Sequence, residues 1–69
     1  MRRQPRFAGS DREARGRVMA VLRGEDRPVG RDELGEAVAD PARLERALAG
    51  LVADGLAVRV GRRYALPSA

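Results

Sequence analysis

A mainly α fold closed by one small β-hairpin, an α+β arrangement, is what this sequence predicts, and three observations predict it. Apolar residues recur at helical spacing in three separate runs; Asp40-Pro41 and Gly55 punctuate the last of these as a helix start and stop; and after Gly55 the spacing switches to strict alternation. In chain order this gives helix, short strand, helix, tight turn, helix and hairpin, the order of a winged helix-turn-helix with the C-terminal hairpin as the wing.

The first nine residues lack apolar periodicity and contain Pro5 and Gly9, so 1–9 read as a basic arm or the remnant of a linker, and 10–67 as the domain. Ser10 with Glu13 makes a capping box, in which each side chain satisfies an orphan amide of the first turn. Phe7, just ahead of that cap, reads as a hydrophobic staple onto the helix. Ala14, Val18, Val21 and Leu22, with Met19 beside them, mark the first helix, and Gly24 stops it near Arg23. Gly16 inside that helix costs about 1 kcal/mol relative to Ala. The one account the sequence offers for it is a close approach to a neighbour.

Arg27-Pro28-Val29 reads as an extended segment anchored by Val29. Gly30 then caps a second helix with Asp32 and Glu33 at the positive end of its dipole and Leu34, Ala37 and Val38 on its apolar face. Asp40 as N-cap and Pro41 as first helical residue open the third helix, whose stripe is Leu44, Ala47, Leu48, Leu51 and Val52. Gly55 suits the left-handed position after it, with Leu56 folding back on the last turn. In the hairpin, Val58 and Val60 alternate on one side and Tyr64 and Leu66 on the other. A two-residue loop, Gly61-Arg62, pairs Val60 with Arg63 and splits this apolar set. A three-residue loop, Gly61-Arg62-Arg63, pairs Val60 with Tyr64 and Val58 with Leu66 and keeps it on one face. Because a one-residue slip turns a whole face over, we expect the longer loop, with Arg62 and Arg63 at an exposed tip and Pro67 ending the strand.

Composition narrows the function. The chain of 69 residues has no Cys and no His, which removes disulfides, thiolate metal sites, iron–sulfur ligation and imidazole chemistry. No catalytic constellation and no metal site is found. Ser10 lacks a base, Asp32-Glu33, Glu25-Asp26 and Asp40 read as helix-start or loop acids, and Gly9-Ser10-Asp11-Arg12 lacks the second Gly and the Lys of a phosphate loop. We therefore expect no enzyme activity from this chain itself, no cofactor and no small-molecule substrate. With no apolar run near the roughly 18 residues of a membrane span and no export signal, we expect no membrane partner and a cytoplasmic, nucleoid-associated place.

All 14 basic residues are Arg, and the net charge is +4. The excess sits at the ends: residues 1–6 carry Arg2, Arg3 and Arg6 without an acid, residues 57–69 carry Arg59, Arg62 and Arg63 without an acid, and the rest holds 8 Arg against 10 acids. Arms and hairpin tips are places from which positive charge reaches a phosphate backbone. The residues expected to contact double-stranded DNA are thus Arg62 and Arg63 at the wing tip, Arg43 and Arg46 at the start of the third helix, and Arg2, Arg3 and Arg6 in the arm. Ala42, Glu45, Ala49, Gly50 and Ala53 share the outward side of that helix; Asp40, Glu45 and Asp54 nearly cancel the two Arg, and Ala49, Gly50 and Ala53 offer almost no reading chemistry, which points to backbone contacts over base readout. Two other classes fit the same residues. One is a protein-interaction or dimerisation module, on account of the small Ala49-Gly50-Ala53 face; the other is a free-standing transcriptional regulator.

The stretch Arg6-Phe7-Ala8-Gly9-Ser10-Asp11-Arg12 with Arg15-Gly16, the run Leu44-Glu45-Arg46-Ala47-Leu48, then Leu51-Val52-Ala53-Asp54-Gly55-Leu56, and the ending Arg63-Tyr64-Ala65-Leu66-Pro67 together resemble the C-terminal segment of actinobacterial A/G-specific adenine DNA glycosylases, the MutY type. The resemblance implies a DNA-binding accessory module of base excision repair, working with a glycosylase catalytic domain in cis. It also implies that the helix-hairpin-helix domain, the catalytic acid pair and the four Cys of a 4Fe-4S cluster lie elsewhere, since this chain has none of them. In an intact enzyme of that family, adenine mispaired with oxidised guanine is flipped from the stack and removed.

Overall fold

The computed structural model describes residues 11–67. The expected arm with Arg2, Arg3 and Arg6, the staple Phe7 and the cap Ser10 lie outside them. The element order is α1 Asp11–Arg23, β1 Val29–Gly30, α2 Arg31–Ala37, α3 Pro41–Ala53, β2 Val58–Val60 and β3 Arg63–Ala65. Three helices and a small antiparallel sheet give the α+β fold predicted above, and the order of the elements is compatible with a winged helix-turn-helix. The strands form one antiparallel sheet in the order β1-β3-β2, so the short strand from the first half of the chain closes the wing on its far side.

Helix boundaries follow local chemistry. The Asp40 side chain accepts hydrogen bonds from the Ala42 and Arg43 amides, with Pro41 supplying a first-turn residue that has no amide to satisfy. At the other end Gly55 takes φ +77°. The Gly55 amide donates to Val52 O and the Leu56 amide to Leu51 O, the paired bonds of a Schellman motif. The Leu56 side chain, expected to fold back, is nonetheless 47% exposed. Gly30 caps α2 in an extended conformation, and that helix is only seven residues long, ending where Val38 turns extended but stays buried.

The core is one cluster. Ala14, Val18 and Leu22 of α1 meet Ala47, Leu48 and Leu51 of α3, with Leu44, Leu34, Val38 and Val29 around them and Ala57 and Tyr64 from the wing side. No charged or polar side chain is buried among the described residues apart from the Tyr64 hydroxyl that comes with its ring. Val52, assigned to the inward stripe of α3, instead faces out. A straight helix drifts off a strict stripe over three turns, and the residue after Leu51 falls beyond the width that α1 covers.

The hairpin register differs from expectation. Val60 pairs with Arg63, Arg59 with Tyr64 and Val58 with Ala65, so the loop is the two-residue Gly61-Arg62, with Gly61 at φ +63°. A two-residue turn with Gly first matches the twist of the strands that it joins. The expected pairs Val60–Tyr64 and Val58–Leu66 do not form. Their premise was that Val58 and Val60 belong to the core, whereas 37% and 47% of these side chains are exposed and Ala57 is the β2-side residue that is buried. Tyr64 decides the register: it pairs with Val29 of β1, and burying that ring leaves Val58 and Val60 on the outer face.

Gly16 is also not explained by crowding. A Cβ built there meets nothing within 4 Å. Gly16→Ala should therefore raise stability by about 0.5–1 kcal/mol, through helix propensity alone. A rise in urea midpoint with an unchanged slope is the expected result, and a fall would mean that the glycine serves a contact outside residues 11–67.

Candidate nucleic-acid interface

The candidate surface is built from α3 and the wing. Along α3 the exposed residues Ala42, Glu45, Arg46, Ala49, Val52 and Ala53 recur at helical spacing and form one stripe. Four of the six are Ala or Val, which leaves one acid and one base to supply all of its charge. Gly50, expected in this stripe, instead lies under the Arg15 guanidinium, 3.7 Å from where its Cβ would be. Arg15 crosses from α1 and pairs with Asp54 at the end of α3.

The charged side chains of α3 are tied down on both flanks. On the α1 side, Arg46 donates to both oxygens of Asp11 at 3.2 Å, and Arg43 Nε lies 3.6 Å from the same carboxylate. Arg43 Nε is buried and makes no hydrogen bond of its own; the Asp11 charge is what it faces. On the wing side, Arg31 holds Glu45 through two nitrogens and donates to the Tyr64 hydroxyl at 2.9 Å, with its guanidinium carbon 5.4 Å from the Tyr64 ring centroid. Arg31, the first residue of α2, thereby joins α2, α3 and the wing. Elsewhere Arg17 pairs with Glu13 along α1, and Arg27 pairs with Glu25 and Glu33.

The wing tip is different. Arg62 and Arg63 are exposed, and their side chains enter no ion pair or hydrogen bond among the described residues. Arg59 donates to Gly61 O across the turn, at 3.1 Å, and contributes electrostatically to Glu45. An open groove runs from Arg62 and Arg63 to Gly30, Arg31, Asp32 and Glu33 at the start of α2, so two acids flank the tip on that side. Of the seven residues expected to contact nucleic acid, the structure thus leaves Arg62 and Arg63 open and engages Arg43 and Arg46 internally; Arg2, Arg3 and Arg6 lie outside the described residues. Arg31 and Arg59 were not singled out from the sequence. Only the position of Arg59 in the acid-free last thirteen residues hinted at it.

No group of three or more Asp or Glu fit to hold a metal ion occurs among the described residues, and no helix there is long and apolar enough to cross a membrane.

Hydrogen bonding from Arg46, aided by its charge and that of Arg43, holds the Asp11 carboxyl below its ordinary value against partial desolvation. Hydrogen bonding from Arg31 does the same for Glu45. Both carboxyls titrate lower in the folded chain than in the unfolded one. Their stabilisation is therefore complete above the ordinary carboxylate range near pH 4 and is lost as pH falls through that range toward the folded values. Melting temperature should drop between about pH 5 and pH 3, and an Asp11→Asn/Glu45→Gln double variant should drop less. Equal drops would show that neither pair contributes.

No protein-family model matches the chain, and no solved structure matches it. Curated proteins do. Adenine DNA glycosylases from two strains of Mycobacterium tuberculosis are 47% identical over 68 residues, which is 96% of this chain and 22% of the relative. Adenine DNA glycosylase from Mycolicibacterium smegmatis is 46% identical over 56 residues, 80% of this chain and 19% of the relative. The chain thus spans about a fifth of the length of the curated relatives it matches. Identity at this level along nearly the whole chain makes it homologous to a segment of the adenine DNA glycosylases.

Proposed function

We propose that this chain is a DNA-gripping accessory module of adenine-glycosylase-type base excision repair, holding duplex DNA by its phosphate backbone. The observation that carries the reading is the contrast in charge state. The α3 arginines are neutralised from within, whereas Arg62 and Arg63 stand at a hairpin tip with no internal partner. Cations held out on a short turn gain most from a polyanion and cost least to desolvate. The relatives' name, adenine DNA glycosylase, supports the duplex as the partner. The near-neutral, alanine-rich α3 stripe supports grip over sequence reading, because base edges are distinguished by donors and acceptors that Ala42, Ala49 and Ala53 lack. Catalysis and any iron–sulfur cluster then belong to a glycosylase catalytic domain working with this module, and the role of this chain is to raise the residence time of that domain on DNA.

Fluorescence anisotropy with a labelled duplex tests this. Affinity should fall steeply between about 50 and 200 mM salt, and Arg62→Ala/Arg63→Ala should weaken binding with a log–log salt slope shallower by about 2. A double variant that binds like the parent chain would remove the wing from the interface.

One observation favours a second reading, a protein-docking role. Val58, Val60 and Leu66 supply the apolar side of an open groove on the outer side of the hairpin, together with Pro28, and Glu25, Asp26 and Arg27 supply its charged side, a net of one acid. That face suits a surface of a catalytic domain carrying apolar and basic groups. Val60→Asp should then abolish association, in a pull-down, with the catalytic part of a mycobacterial adenine DNA glycosylase supplied in trans. Absence of any association with the parent chain would end this reading.

A further inference from the structure

Two carboxylates beside the outward stripe of α3 each sit in an arginine fork. Glu45 is gripped by two nitrogens of Arg31 and lies in the field of Arg59 from the wing. Asp11 is gripped by Nε and Nη2 of Arg46 and faced by Arg43. Both carboxylates are open to solvent, with side-chain exposures of 52% for Glu45 and 54% for Asp11. A carboxylate held by two guanidinium nitrogens has the geometry of a phosphate group in the same fork. Between the two forks, Ala42 and Ala49 add no bulk, so a rod-like polyanion can approach the helix closely. The phosphate backbone is the polyanion the fold suits, because the forks flank α3, the helix that a winged helix-turn-helix presents to a groove, with Arg31 of α2 on one side and Arg46 of α3 itself on the other.

We propose that these two forks are phosphate seats of a second DNA-backbone sector, filled in the free chain by Asp11 and Glu45 and vacated when a duplex displaces them. The inference rests on the DNA reading above and assigns the α3 side of that interface. The carboxylates act as built-in counterions. They keep four arginines from binding polyanions indiscriminately, and they yield only where a backbone offers two phosphates at once. Exchange of one anionic oxygen pair for another leaves the Arg31 and Arg46 guanidiniums bonded throughout, so the change needs no rearrangement of the core.

The test is a salt-dependent anisotropy titration of the full chain with a random-sequence duplex, comparing the parent with Asp11→Asn, Glu45→Gln, the two combined, and Arg62→Ala/Arg63→Ala. Circular dichroism melts identify variants that remain folded. The combined variant should bind on the order of tenfold tighter at low salt, with a log–log salt slope steeper by about 1 or more, since each added phosphate contact contributes about 0.9. Arg59→Ala, which breaks no ion pair, should cancel most of the gain from Glu45→Gln, and this comparison decides the matter if Asp11→Asn fails to fold. Folded carboxylate variants with parental affinity and slope, alongside a weakened wing variant, would overturn the second sector and leave the wing reading standing. No binding by the parent or by any unmasked variant would overturn both. Tighter binding by the unmasked variants with no effect of the wing variant would support the α3 sector and remove the wing.

Discussion

Burial of the Tyr64 ring is the constraint on which the geometry of the wing depends. The ring enters the core from β3 opposite Val29, and its hydroxyl stops beside the Arg31 guanidinium. An aromatic side chain carries far more apolar area than any other residue of this hairpin, so its inward position outweighs the smaller preferences of Val58 and Val60. The strand alternation then leaves no choice. Arg63 and Ala65 point to the other face, the turn shortens to two residues, and Arg62 is carried to the outermost point. Because Arg31 also holds Glu45, the same contact ties the wing to α3.

Charge is arranged in two regimes. Across the α1–α3 seam and between α2 and α3, arginines find carboxylates on neighbouring elements; at the hairpin tip they find none. Exposed ion pairs add little to stability individually. Their larger effect here is to give the arginines beside α3 carboxylate partners, while Arg62 and Arg63 keep side chains without one among the described residues.

Much of this was legible in the sequence where the chemistry is local. Asp40-Pro41 and Gly55 each act within a turn of their own position, and both ends of α3 lie where those residues place them. The spacing of Ala14, Val18 and Leu22 likewise fixed the buried side of α1. What failed was non-local. The hairpin register depends on Val29, more than thirty residues away, forming a third strand, and alternation within the hairpin alone weighted Val58 and Val60 too heavily. The pairing of Arg43 and Arg46 with Asp11 depends on how α1 lies across α3, which periodicity does not specify. Gly50 looked outward on a helical wheel, yet it is covered by a side chain reaching over from another helix. Surface arginines are common, and spacing alone does not say which of them are free.

The sheet order has a consequence for cooperativity. A hairpin joined only to itself could fray and re-form without disturbing the helices. Here β3 lies between β2 and β1, and β1 leads directly into α2, so opening the wing breaks a pairing to the first half of the chain. That pairing joins residues more than thirty positions apart, so closing it costs more loop entropy than closing the hairpin alone. In exchange terms, the amides that link β1 to β3 are expected to open with the body of the domain and not with its edge. The turn that carries Arg62 is thereby backed, through β1, by the core.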